Sequence, residues 1–263
     1  MKTRFKPKKA NKHYEELEVY ACTRKKELSE MTEPYIKVTD RYGRLVSRIV
    51  LMLGSKKPAN TQDIVIRDLM ADVFDCLYES RSLILEGKLN VTFPIGRRAY
   101  ESLSLLHLCV VDKSWAEKWS KGKKISNFEI RKELAAHPLG EPEQGMKELY
   151  NFFCAATHPN RDLIPKRFLG EGNEFVLGVI GKPELVMVVD YCIKNLQMWF
   201  WLTATVSFFY RETIKKLYSG YYEAYKQATK EAQKVKAWLT ENFNKLLDEA
   251  QQYWKKKQGR KTN

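Results

Sequence analysis

Apolar and polar positions from Phe93 to Asp112 follow the pattern of a helix that is buried on nearly all sides. At about 100° per residue, apolar side chains cover both halves of the helical wheel and leave one narrow polar strip. The strip holds Arg97, Glu101 and Ser104, with Arg98 at its edge. The i, i+4 spacing of Arg97 and Glu101 predicts an ion pair. Charged groups are rarely buried without partners, so we expect other helices to bring polar groups to this strip.

The same helical spacing continues through most of the chain. Ser126 with Glu129 predicts one helix start, Asn60 or Thr61 predicts another, and prolines open further helices. The predicted helical segments are Asn11–Glu30, Pro34–Leu53, Thr61–Glu86, Lys113–Gly122, Ser126–Leu134, Gly145–His158, Pro183–Tyr210 and one long helix beyond Gly220.

One segment breaks the helical pattern. Short apolar runs around Phe168 and Phe175 flank a glycine-containing turn, which predicts a small β-hairpin near residues 165–180. The fold class is therefore mainly α, a multi-helix bundle with one small β-hairpin and a long C-terminal helix. We expect a basic arm over residues 1–12, a bundle domain over 13–217, and an amphipathic helix with a basic tail over 218–263.

The longest apolar run, Met198–Tyr210, has 13 residues and carries no charge. A membrane-spanning helix needs about 18 to 20 apolar residues, so this run predicts a central core helix and no membrane partner. The absence of a signal peptide and of paired cysteine spacings predicts a cytoplasmic protein with free thiols and without a zinc site.

Charge points to a partner. The chain has 46 lysines and arginines against 32 acids, a formal net charge of +14, and part of the excess lies in the two terminal segments. RNA or another polyanion is therefore an expected partner, while simple solubility explains the same charge. The aromatic and apolar stripe beyond Gly220 favours core packing or a homodimer through the C-terminal helix. Its aromatic residues alternate with lysines, so stacking on single-stranded nucleic acid is the alternative.

Metal and cofactor motifs give no positive signal. Four acids on the third helix share one face, Asp68, Asp72, Asp75 and Glu79, but that face lies opposite the apolar stripe. We interpret it as a solvated or lysine-paired face and expect no metal. No phosphate-binding loop, dinucleotide fingerprint or nucleophile elbow is present, so we expect no cofactor.

Two histidines are candidates for chemistry. Arg131 and His137 are separated by five residues, and this pair resembles the Rx4-6H signature of HEPN ribonucleases. The resemblance implies an α-helical dimer that cuts RNA without metal, in which His137 moves protons and Arg131 stabilises phosphate charge. His158 ends a helix before Pro159, where the helix dipole favours its protonated form, and it is a further catalytic candidate.

A second resemblance spans residues 93–160. A set of scattered positions here resembles, in its order along the chain, uncharacterised bacterial all-α proteins of the DUF5677 type. These positions are Arg97-Arg98, Glu101-Ser102, Asp112, Trp115-Ala116, Trp119, Gly122, Arg131, Leu134, Tyr150, Ala156 and His158-Pro159. The resemblance suggests that Tyr150, Asn151 and His158 face the polar strip. The resulting binding candidates are Arg97, Arg98, Glu101, Tyr150, Asn151 and Arg161. A buried polar network that fixes helix register is the alternative.

These patterns favour a cytosolic basic helical protein that binds RNA or a ligand through a buried polar cluster, in a bacterial defence or stress system. Two alternatives stay open. One is a HEPN-like, metal-independent endoribonuclease, and the other is a protein-interaction module without catalysis.

Overall fold

The computed structural model describes Val19 and residues 21–157, Phe168–Leu169, Glu174–Phe175 and residues 185–259. Ten helices lie in this part of the chain: α1 (21–31), α2 (Glu33–Gly54), α3 (Thr61–Leu85), α4 (Leu89–Val111), α5 (Lys113–Ser120), α6 (Asn127–Ala136), α7 (Glu143–Thr157), α8 (Leu185–Phe209), α9 (Arg211–Leu217) and α10 (Tyr221–Gly259). The predicted mainly-α fold is confirmed.

The starts of three helices follow from short side chains that replace missing backbone partners. Asn60 accepts a hydrogen bond from the Asp63 amide at 2.9 Å, and Ser126 accepts one from the Glu129 amide at 3.2 Å. Asp112 does the same for the amide of Ser114 at 2.9 Å and begins α5 directly after α4. Such bonds satisfy amides that the helix itself leaves unpaired. Of the two candidates for the first cap, Asn60 and Thr61, the structure has Asn60, and the cap predicted at Ser126 is confirmed.

Two helices, α4 and α8, occupy the centre of the bundle. Helix α4 packs against α3, α5, α6, α7 and α8, while α8 also packs against α2, α3 and α10. The predicted buried helix is confirmed, but it begins at Leu89 and contains Pro94. Pro94 lies on the exposed side, where water can take the place of the hydrogen bond that proline removes.

The predicted core helix is α8. Its long apolar run buries Trp199, Leu202 and Val206 completely or almost so. In the part of the chain that the structure describes, no helix is both long enough and apolar enough to cross a bilayer.

The long C-terminal helix is present as predicted and shares the core of the bundle. Helix α10 packs along α8 and α2, and it buries Tyr221, Ala228, Ala232 and Leu239. Its apolar side is thereby covered by α8 and α2 over much of its length.

Two short strands lie between α7 and α8. Strand β1 (Phe168–Leu169) pairs antiparallel with strand β2 (Glu174–Phe175), with Phe168 opposite Phe175. The other residues of the predicted hairpin near 165–180 lie outside the described residues, so a hairpin of that extent stays a prediction. The N-terminal arm over residues 1–12 also lies outside them.

A buried carboxylate holds the α2–α3 connection and the start of α9 together. Asp63 accepts hydrogen bonds from Nε and Nη2 of Arg67 at 3.0 Å each, from the Ala59 amide at 2.8 Å and from the Tyr210 hydroxyl at 2.7 Å. Burial alone would raise the pKa of Asp63, but these hydrogen bonds and the Arg67 charge outweigh it and keep the pKa below its ordinary value. Arg67 also donates to the Leu53 carbonyl at the end of α2.

Gly96 lets α4 approach α7 and α8 closely. A Cβ at this position would lie 2.6 Å from the Cε1 atom of Phe153 and 3.2 Å from the Cε2 atom of Tyr191. Both rings are completely buried, so neither can move aside at low cost. Helices α4, α7 and α8 therefore meet at a glycine.

We expect Gly96→Ala to lower the free energy of unfolding by about 1 to 3 kcal/mol, because the added methyl group overpacks the core. Urea denaturation of both proteins measures this difference. Gly54→Ala is the matched control, since nothing lies within 4 Å of its Cβ position at the end of α2. Equal loss of stability in the two variants would contradict the packing argument.

Candidate functional site

The polar strip of α4 meets α7 at Tyr150. Arg97 donates through Nε to a carboxylate oxygen of Glu101 at 2.8 Å, which confirms the predicted ion pair. Its guanidinium carbon lies 5.6 Å from the centre of the Tyr150 ring. The side chains of Arg97 and Glu101 are 26% and 33% exposed, so the strip lies at the edge of the core and reaches solvent.

Helix α6 brings Arg131 to the same ring. The guanidinium carbon of Arg131 lies 4.5 Å from the centre of Tyr150, and its Nη1 atom is buried without a hydrogen-bond partner. A hydrogen bond with Cys154, together with burial, raises the pKa of Tyr150. We call Arg97, Glu101, Arg131 and Tyr150 the arginine cluster. Two cations on one aromatic ring are held by cation–π attraction.

Two of the expected members of this cluster lie elsewhere. Arg98 donates to Asp72 of α3 at 2.5 Å, and Ser102 donates to the other oxygen of Asp72 at 2.6 Å. Adjacent residues of a helix point about 100° apart, so Arg98 faces α3 while Arg97 faces α7. Asn151 is exposed on α7, and its side chain forms no hydrogen bond with a described residue. The expectation that both would face Tyr150 and the polar strip is corrected, whereas His158 and Arg161 lie outside the described residues.

Arg131 and His137 turn to different neighbours. Arg131 lies within α6 and packs on Tyr150, whereas His137 follows the last turn of α6, where its Nδ1 accepts the Leu139 amide at 3.1 Å. No hydrogen bond or ring contact joins the two side chains among the described residues. Their pairing in a ribonuclease site stays a prediction.

A different histidine lies at the centre of the bundle. The Nδ1 atom of His107 accepts the indole N–H of Trp201 at 2.9 Å, and its Nε2 atom lies 3.0 Å from the Leu139 carbonyl oxygen. Because an indole nitrogen only donates, the ring proton is on Nε2 and points to Leu139. Burial lowers the pKa of His107, with a smaller contribution from His137 and an opposing one from the Leu139 carbonyl. His107 is therefore a neutral link between α4, α8 and the turn after α6.

The turn after α6 depends on a glycine. The Gly140 amide donates to the His137 carbonyl at 2.9 Å, and a Cβ on Gly140 would lie 1.7 Å from the Leu134 carbonyl oxygen. No side chain fits there. The turn places the Leu139 carbonyl at His107 and delivers Glu141 to the start of α7.

An apolar cleft of about 390 Å³ opens beside Trp201, between α7, α8 and α10. Five side chains contribute its polar groups: Glu141, Gln197, Thr229, Gln233 and Lys236. Its apolar lining is Met146, Leu149, Leu196, Phe200, Trp201 and Ala232.

A second cleft of about 200 Å³ lies between α4, α8 and the same turn. Glu141 and Trp201 line both clefts, and His107 lines the second. Burial raises the pKa of Glu141, since no described group offers its carboxylate a hydrogen bond or an ion pair.

Metal ligands are not grouped in the described part of the chain, where no three His, Cys, Asp or Glu side chains lie together as a metal site. On α3, Asp68, Asp75 and Glu79 are exposed, as expected for a solvated face, while Asp72 is taken by Arg98.

Sequence reasoning missed the cleft and its main residues. The cleft joins positions from α7, α8 and α10 that each fit a core pattern on their own helix, so no local motif marks them. Glu141 precedes a helix and resembles an ordinary acidic helix start. The hydrogen bond between Trp201 and His107 depends on how α4 and α8 pack against each other, which no local pattern records.

Comparison of the chain with protein-family models, with curated proteins and with solved structures gives no match. The resemblances to the DUF5677 type and to HEPN ribonucleases thus depend on the residues quoted above.

We expect the free energy of unfolding to depend less on pH in His107→Gln than in the unchanged protein. Unfolded histidine has a pKa of about 6.5, and the folded pKa of His107 is lower, so its stabilisation is complete above pH 6.5. It is lost as the pH falls through the folded pKa. The substitution also removes the nitrogen that accepts the Trp201 hydrogen bond, which should lower the free energy of unfolding by about 1 to 3 kcal/mol at pH 7.5.

Urea denaturation between pH 5 and pH 7.5 measures both effects. If the two proteins showed the same dependence on pH, His107 would not be the buried neutral group that the hydrogen bonds indicate.

Proposed function

We propose that this protein is a binding module for a compact, mainly apolar small molecule, and that the 390 Å³ cleft between α7, α8 and α10 is its site. The observation that carries the proposal is the cleft itself. Small-molecule sites are concave, largely apolar and furnished with a few polar groups that orient the ligand. This cleft has that composition, and its volume lies at the small end of the usual range of about 300 to 1,000 Å³.

The walls of the cleft are held in place before any ligand binds. Trp201 is fixed by its hydrogen bond to His107 and by the Tyr100 ring, whose centre lies 6.3 Å away. Phe200 is stacked on Tyr225 of α10, with ring centres 6.4 Å apart and an interplanar angle of 13°. Fixed aromatic walls reduce the entropy that binding costs. They favour a flat ligand.

A neutral fluorescent probe, N-phenyl-1-naphthylamine, tests the cleft. We expect saturable binding of one probe per chain, measured by the increase in probe fluorescence. Gln233→Trp places a large ring at the edge of the cleft and should weaken this binding at least about tenfold, the affinity equivalent of one lost anchor contact.

Gln227→Trp is the matched control, because Gln227 is also an exposed glutamine on α10 but does not line the cleft. It should bind the probe as the unchanged protein does. Equal affinity in both variants would place the probe elsewhere and remove the support for this site.

RNA is the second candidate, and the arginine cluster favours it. Arg97 is partly exposed beside the half-buried ring of Tyr150, and a cation with an aromatic ring can hold a phosphate and a stacked base. The formal net charge of +14 would add attraction that does not depend on sequence.

For the ribonuclease alternative we expect cleavage of single-stranded RNA in EDTA, reduced at least about 100-fold by His137→Ala if His137 moves the proton. His158→Ala tests the second histidine in the same gel assay. Cleavage that survives both changes would remove both assignments. RNA binding without cleavage, weakening steeply as salt rises, would favour an RNA-binding module, and no binding at low salt would favour a protein-interaction module.

A further inference from the structure

Among the described residues, Glu141 is the only acid that lines the 390 Å³ cleft, and it also lines the smaller cleft. The tight turn at Gly140 holds its backbone against the end of α6. The side chain is half-buried, and its carboxylate forms no hydrogen bond or ion pair with any described residue. The backbone of Glu141 is therefore held in place, while no described residue pairs with its carboxylate.

An unpaired carboxylate in an apolar surrounding costs free energy. Partly buried carboxylates are normally paired with a cation or with hydrogen-bond donors. Asp63 shows the paired case in this same protein, since four hydrogen bonds keep its pKa low. Burial moves the pKa of Glu141 in the opposite direction. Titratable groups whose pKa is shifted in this way and that line a cleft are candidates for ligand contacts.

The neighbours of Glu141 in the cleft favour a positive charge on the ligand. Trp201 and Phe200 line the same cleft, and the faces of aromatic rings attract cations. Lys236 also lines the cleft, but it is exposed on α10 and forms no ion pair with Glu141. The carboxylate is therefore available to an incoming cation.

We infer that the ligand is a compact apolar or aromatic amine, whose ammonium group binds Glu141 while its ring packs on Trp201 and Phe200. This inference rests on the proposed function and names the class of ligand for the same cleft. Glu141 sets specificity: it selects a charged amine over an uncharged molecule of equal shape.

Three probes of nearly equal shape test the inference: 1-naphthylmethylamine, 1-naphthalenemethanol and 1-naphthoate. The affinity of each probe is measured at pH 7 by its competition with bound N-phenyl-1-naphthylamine. The unchanged protein should bind the amine at least about tenfold more tightly than the alcohol, and the alcohol more tightly than the carboxylate. Glu141→Gln should bind the amine and the alcohol equally and keep the affinity for the alcohol.

Glu143→Gln is the matched control, because Glu143 is an exposed acid two residues further on that does not line the cleft. It should keep the preference for the amine. Because no described residue pairs with the Glu141 carboxylate, Glu141→Gln should also be at least as resistant to urea as the unchanged protein at pH 7.

The outcomes separate the two proposals. Equal binding of amine and alcohol by the unchanged protein, or a preference for the amine that survives Glu141→Gln, overturns the role of Glu141 and leaves the cleft as a site for neutral ligands. Failure of the alcohol and of N-phenyl-1-naphthylamine to bind at all overturns the proposed function itself.

Discussion

Hydrogen bonds between buried polar side chains join the central helix α8 to three of its neighbours and determine how the bundle fits together. Asn195 of α8 accepts the Tyr35 hydroxyl of α2 at 2.8 Å, and Ser207 of α8 lies 2.7 Å from the Tyr221 hydroxyl of α10. The bond between Trp201 and His107 joins α8 to α4 in the same way. Each bond forms in only one register of the two helices, so these pairs fix position as well as contribute stability.

The cleft follows from that arrangement. With Trp201 tied to His107, its ring cannot turn to fill the space between α7 and α10, and the turn at Gly140 keeps Glu141 at the edge of the same space. The apolar surface that remains open is therefore a result of well-ordered packing. A site held by rigid elements can orient a ligand better than one built on loops.

The arginine cluster and the cleft are neighbours in the structure. Tyr100 of α4 contacts both features: its ring centre is 6.0 Å from that of Tyr150 and 6.3 Å from that of Trp201. Its hydroxyl donates a hydrogen bond to the Met146 carbonyl. The two features differ in chemistry. The cluster presents guanidinium groups near solvent, whereas the cleft presents apolar walls and the Glu141 carboxylate, which pairs with no described residue.

The local sequence determined the helical fold, the buried character of α4 and α8, the ion pair of Arg97 with Glu101 and the cap at Ser126, because each depends on residues that are close together in the chain. Tertiary structure decided the rest. Three features depend on which faces of distant helices meet: the ion pair of Arg98 with Asp72, the hydrogen bond between His107 and Trp201, and the position of Glu141 at the edge of the cleft. A single helix records which of its sides is apolar, but the partner of each side is set by packing across the whole bundle.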